Sequence, residues 1–107
     1  MKLHVVFDRN GEKIGDLDSM DFALSKVDSI KGTEQELQVN VANALVIYAF
    51  RVLVKEGIIN PYSELFLYNK TTDPELKHPI RVDKNGEQED YPLGMMDEYS
   101  NILMKLI

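Results

Sequence analysis

Hydrophobic and polar positions change their period several times along the chain. His4, Val5, Val6 and Phe7 run into Asp8-Arg9-Asn10-Gly11-Glu12, then Lys13 and Ile14. An Asn-Gly pair after Asp suits a tight turn, because Gly accepts the left-handed conformation and Asp can bond its own backbone, so the pattern predicts a β-hairpin. Met20, Ala23, Leu24, Val27 and Ile30 then recur at offsets of three and four, the stripe of an amphipathic helix. Asp18 or Ser19 is placed to cap its start, and Gly32 to end it.

The stretch 33–43 supports two readings. Thr33-Glu34-Gln35-Glu36 matches a capping box that would open a long helix ending near Gly57. Leu37, Val39 and Val41 alternate with Gln38 and Asn40 as a strand would, with a helix starting near Asn43 instead. On either reading, residues 44–54 are apolar on nearly every face, which predicts a buried central helix with Asn43, Arg51 and Lys55 as its polar edge. After the turn at Asn60-Pro61-Tyr62, Leu65, Phe66, Leu67 and Tyr68 read as a short strand. Residues 69–79 read as a polar loop. Ile80-Arg81-Val82 and Asp83-Lys84-Asn85-Gly86-Glu87 repeat the earlier turn chemistry, predicting a second hairpin over 80–90. Met96, Tyr99, Ile102, Leu103 and Leu106 form the stripe of an amphipathic C-terminal helix, with Asp97 and Glu98 near its positive end. The sum is an α+β fold: one domain over 1–107, a mixed sheet with two Asp-x-Asn-Gly hairpins, a buried central helix and a terminal helix.

Charge and composition narrow the function classes. Asp and Glu number 18 against 12 Lys and Arg, a net charge of −6. That balance opposes nucleic-acid binding, which draws its affinity from clustered cations. Absence of cysteine removes disulfide frameworks, thiolate metal sites and a Cys nucleophile. The most apolar stretch, 41–54, is interrupted by Asn43 and Arg51 and is too short to span a bilayer. With no export signal, a cytoplasmic protein is expected.

Catalytic, cofactor and metal motifs are not found. No Gly-rich phosphate loop occurs, so no cofactor is expected. His4 and His78 are the only imidazoles, and neither has a partner at ligand spacing. Asp8-x-Asn10-Gly11 shares the opening of a calcium loop but lacks its remaining ligands. No serine sits in a nucleophile elbow. Paired carboxylates keep a small hydrolase or nucleotide-processing enzyme as the alternative, and the enzyme reading is disfavoured. The acids Glu87, Glu89, Asp90, Asp97 and Glu98 form a candidate negative patch for a basic protein partner. Met104 and Ile107 give the last helix a second apolar face, on which a homo-oligomer could form. An acidic inhibitor protein encoded by a phage, presenting its acids on one face, is a further alternative.

From about Leu37 onward the order of segments resembles the C-terminal end of a family of bacterial ATPases. The quoted stretches are Ala44-Leu45-Val46-Ile47, Arg51-Val52-Leu53-Val54-Lys55-Glu56-Gly57, Leu65-Phe66-Leu67-Tyr68-Asn69-Lys70, Pro79-Ile80-Arg81-Val82-Asp83-Lys84-Asn85-Gly86 and Tyr91-Pro92-Leu93-Gly94-Met95-Met96-Asp97-Glu98. The family comprises AAA-type, ABC/SMC-like ATPases with a C-terminal domain of unknown function, related to the overcoming-lysogenization-defect nucleases. Ala42 stands where that family has its γ-phosphate-sensing His, and the chain has no Walker loop, so ATPase residues do not carry over. The resemblance implies a lid-like fragment or partner of such an ATPase complex, in a defence or DNA-repair setting. The expectation is therefore a small acidic, non-enzymatic protein-interaction module.

Overall fold

The computed structural model describes residues 1–88; the terminal helix expected beyond them, and residues 89–107 generally, lie outside the described residues. Among the described residues, the three strands are β1 (Lys2–Glu12), β2 (Glu36–Val41) and β3 (Leu65–Asn69), and the two α-helices are α1 (Ser19–Ile30) and α2 (Ala44–Lys55). The strands form one sheet in the order β2-β1-β3, with both neighbours parallel to β1. Helices and a sheet thus share one core, the coarse class that the sequence pattern leads one to expect.

Register follows the apolar alternation. Leu3 pairs with Leu37 and Leu65, Val5 with Val39 and Leu67, and Phe7 with Val41 and Asn69. Paired positions of parallel strands point to the same face. These apolar side chains meet Ala23, Val27 and Ile30 of α1 and Val46, Ile47, Phe50 and Leu53 of α2 in one buried cluster. The opposite face carries His4, Val6 and Asp8 of β1, Glu36, Gln38 and Asn40 of β2, and Phe66 and Tyr68 of β3. Both helices lie on one face while the β1–β2 and β2–β3 crossovers run in opposite directions along the sheet. The two crossovers therefore differ in hand, and one is of the rare left-handed kind.

Residues 33–43 resolve as strand then helix. Gly32 stands at φ 77° just beyond α1. The Thr33 hydroxyl donates to the Ile30 carbonyl (2.7 Å) and accepts from Gln35 N (3.2 Å), so it closes α1 instead of opening a new helix. Asn43 caps α2: its Oδ1 accepts from Leu45 N at 2.9 Å. Asp18 occupies the position before α1 without a capping bond, and the Ser19 hydroxyl donates to the Gly15 carbonyl at 3.3 Å.

Three expectations are corrected. The first Asp-x-Asn-Gly segment does not turn the chain back. β1 is hydrogen-bonded on both sides, which leaves no edge for a returning strand. Its register slips between Phe7 and Glu12, so residues 8–11 bulge outward, and the ladder resumes where Glu12 pairs with Val41 and Ala42 N donates to the Glu12 carbonyl (2.9 Å). Second, among the described residues the antiparallel component of the expected mixed sheet consists of isolated bridges, Leu67 with Ile80 and Val82 with Gln88. The turn at residues 83–86 does form: Gly86 N donates to the Asp83 carbonyl (3.0 Å) and Asp83 N to the Glu87 carbonyl (2.8 Å). Third, Arg51 is no polar edge. It is 4% exposed and lies beneath that turn, its Nε donating to the Gly86 carbonyl at 2.6 Å.

Candidate functional site

The residues predicted to bind a partner are mostly beyond reach of the description. Glu87 is exposed in the second turn, where its backbone N donates to Asp83 Oδ1 (3.1 Å). Glu89, Asp90, Asp97, Glu98, Met104 and Ile107 lie outside the described residues. What the structure assembles instead are an apolar groove, a row of rings on the open sheet face, and a polar cleft at one sheet end.

The groove begins with the segment joining β1 to α1. Asn43 Nδ2 donates to the Ile14 carbonyl (2.9 Å) and to Asp16 Oδ1 (2.6 Å), pinning this segment to the start of α2. A single 3-10 turn, Asp16–Asp18, follows, and Asp18 N closes onto the Gly15 carbonyl (3.0 Å). Held in this way, Leu17 is thrown outward and is 97% exposed. Beside it, Met20, Leu45, Tyr48, Ala49 and Val52 line a groove of about 200 Å³ between the two helices. Asp16 also lines it, and Asp16, Asp18 and Asp21 are all exposed. Stacking against Arg51 at 5.0 Å helps to fix the Tyr48 ring in the wall. The sequence signal for this surface is slight: Leu17 is an apolar residue between two aspartates, just ahead of α1.

On the sheet face, His4 Nε2 lies 3.1 Å from Glu36 Oε1 and His4 Nδ1 lies 3.4 Å from the Tyr68 hydroxyl. The His4 ring stacks on Phe66 with centroids 4.9 Å apart. Adjacent strands bring these four residues together, since His4 pairs directly with Phe66 across the ladder. The hydrogen bond from His4, reinforced by Lys2, holds the Glu36 carboxyl below its usual range. Burial, aided by Asp73, raises the Tyr68 hydroxyl above its ordinary value. A phenol shifted upward resists ionisation at neutral pH, which makes it a poor nucleophile. The row orders the face more readily than it does chemistry.

The third feature sits at the carboxyl end of the β1–β3 ladder, just beyond Phe7 and Asn69. Asp8, only 8% exposed, takes Asn10 N (3.0 Å) on Oδ1, and Asn40 Nδ2 (3.0 Å) and Lys70 Nζ (3.5 Å) on Oδ2. Its carboxyl is held below the usual range, chiefly by the Asn40 bond and then by the Asn10 amide. His78, the other imidazole, belongs to a loop: its backbone N donates to Asp73 Oδ2 at 2.8 Å. Among the described residues, no group of three or more His, Asp or Glu side chains converges as metal ligands. No described helix is long and apolar enough to cross a membrane.

Comparison with family models, with curated proteins and with solved structures found no match for the chain.

Proposed function

We propose that this protein is a non-enzymatic contact module whose groove between α1 and α2 receives an apolar, basic-flanked segment of a protein partner. The observation that carries the reading is Leu17: a fully projecting leucine beside an apolar groove of about 200 Å³. A large apolar side chain held in water costs free energy that association recovers, and such anchors dominate interface energetics. The groove also suits its proposed occupant in charge. Asp16 lines it, Asp18 and Asp21 are exposed close by in sequence, and the whole chain carries −6. Lysines or arginines flanking the docked segment would meet that field, speeding encounter and making it salt-sensitive. Glu87, Glu89, Asp90, Asp97 and Glu98 are five of the 18 acids behind the chain's net charge. On this proposal the partner belongs to a bacterial ATPase complex, the setting implied by the resemblance of residues 37–107 to the end of such ATPases.

The test is a photo-crosslinking residue at position 17, expressed in the native host, followed by mapping of the crosslinked peptide. The expected peptide is apolar with Lys or Arg flanks, from another protein. Affinity of the purified pair should then fall by about 2 kcal/mol, roughly thirtyfold, in Leu17→Asp. A crosslink to a second copy of this chain, no crosslink, or unchanged affinity in the variant overturns the proposal.

A further inference from the structure

We propose that the cleft at the carboxyl end of the β1–β3 ladder, just beyond Phe7 and Asn69, binds a small oxyanion carrying two negative charges. In open parallel sheets, ligands settle outside the carboxyl ends of the strands, where the strand order reverses. β1 is such a position here, with β2 on one side and β3 on the other. Asp8, Arg9, Asn10, Lys70 and Thr71 line a cleft of about 210 Å³ there.

The cleft is a product of the β1 bulge. The register slip after Phe7 lifts residues 8–11 out of the ladder, and the Asp8–Asn10 bond fixes their course. Bulges commonly re-aim side chains next to binding sites. Charge in the cleft is unbalanced. Asp8 is committed to Asn10, Asn40 and Lys70, whereas the Arg9 guanidinium makes no hydrogen bond or ion pair with any described residue. Lys70 is only half engaged, its side chain 47% exposed at 3.5 Å from Asp8. Two cations against one internally satisfied carboxylate leave a local positive excess on an acidic protein.

Size and long-range charge select among anions. A volume near 210 Å³ admits a phosphate-sized or short dicarboxylate group. A long polyanion would run past the cleft along a chain of net charge −6, whereas a compact dianion feels that charge only through screened solvent. The Arg9 fork matches two oxygens and the Lys70 ammonium a third direction, so holding the ligand requires no glycine-rich backbone cradle.

The test is titration of the purified full chain with inorganic phosphate and, separately, with malonate at constant ionic strength, following amide shifts by two-dimensional NMR. Saturable shifts centred on Arg9, Asn10, Lys70 and Thr71 are expected with at least one dianion, and whichever binds more tightly names the oxyanion class. Acetate should bind about tenfold more weakly, and Arg9→Gln should weaken the dianion about tenfold, the value of one charge-assisted hydrogen bond. Arg9 is exposed, so the variant should keep its thermal midpoint. Non-saturating shifts, acetate binding equal to that of the dianions, or unchanged affinity in Arg9→Gln overturns the inference.

Discussion

Arg51 and Gly86, 35 residues apart, form a two-way lock: the Arg51 side chain donates to the Gly86 carbonyl at 2.6 Å, while the Arg51 carbonyl occupies the space where a Gly86 Cβ would stand. Gly86 also has φ 78°, in the left-handed region. Gly86→Ala should therefore cost roughly 2–4 kcal/mol, combining backbone strain with displacement of a helical carbonyl. Gly32 is the internal control: its φ is 77°, but no atom lies within 4 Å of a built Cβ. Gly32→Ala should cost only about 1–2 kcal/mol, the strain alone. Urea denaturation of the two variants separates the terms.

Replacing Arg51 attacks the same lock from its other side. Arg51→Met keeps most of the side-chain volume but leaves the Gly86 carbonyl without its buried donor, a loss of about 1–3 kcal/mol. Arg51→Lys should rescue little, because an ammonium cannot reproduce the Nε geometry or the stacking on Tyr48. Equal stability of Arg51→Lys and wild type in urea would contradict this account.

Much of the fold was legible in the sequence, and the failures share a cause. The α1 stripe, the buried α2 and the 83–86 turn follow from periodicity and turn chemistry that act locally. The misreading at Asp8-Arg9-Asn10-Gly11 arose because the same residues serve a tight turn or a bulge, and strand neighbours 30 and 60 positions away decide which. Arg51 looked like a solvent edge because a charged residue usually is one, and only the folded-back turn supplies its buried acceptor. Leu17, the centre of the proposed site, lies three and seven positions ahead of Met20 and Leu24, so its spacing alone would assign it to the buried stripe. Its exposure follows from Asn43 clamping the preceding segment, a tertiary contact that no local pattern encodes.

Leu17 should separate stability from binding. At 97% exposure it contributes almost no burial, so Leu17→Asp should leave the urea midpoint within about 0.5 kcal/mol of wild type. Phe50, fully buried in α2, is the contrast: Phe50→Ala should cost about 3–5 kcal/mol. Partner affinity should fall in the first variant despite its intact fold, and isothermal titration against the crosslinked partner measures that split.

Acid should destabilise the fold through Asp8 and Asp73. Both carboxyls are held below the usual aspartate range, Asp8 mainly by Asn40 and Asp73 mainly by the His78 amide. A depressed folded pKa gives stability that is complete above the unfolded value near pH 4 and is lost as pH falls through the folded value. Asp8→Asn removes one such group and turns an amide N–H toward Asn40 and Lys70. The variant should be less stable at pH 7, and its stability should fall less steeply between about pH 5 and pH 2. Urea midpoints across that range would show the shallower slope, and an unchanged slope would remove Asp8 from the acid limb.

Gly11 distinguishes the bulge from a hairpin by a single methyl group. In a tight turn at Asn10-Gly11 the glycine would sit in open space, and alanine would meet only backbone strain. In the bulge, a Cβ at position 11 falls 2.7 Å from both the Asn40 carbonyl carbon and Val41 N, inside the contact between β1 and β2. Real Cβ atoms do not approach backbone so closely, so the strands must part and the Glu12–Val41 pairing must loosen. Gly11→Ala should therefore destabilise the fold by more than the roughly 1 kcal/mol of a simple turn substitution, and it should speed exchange of the Ala42 amide, which donates to the Glu12 carbonyl at 2.9 Å. Loss of protection at Ala42 with the β3 amides unaffected would locate the damage at the β1–β2 seam, whereas unchanged exchange there would restore the hairpin reading.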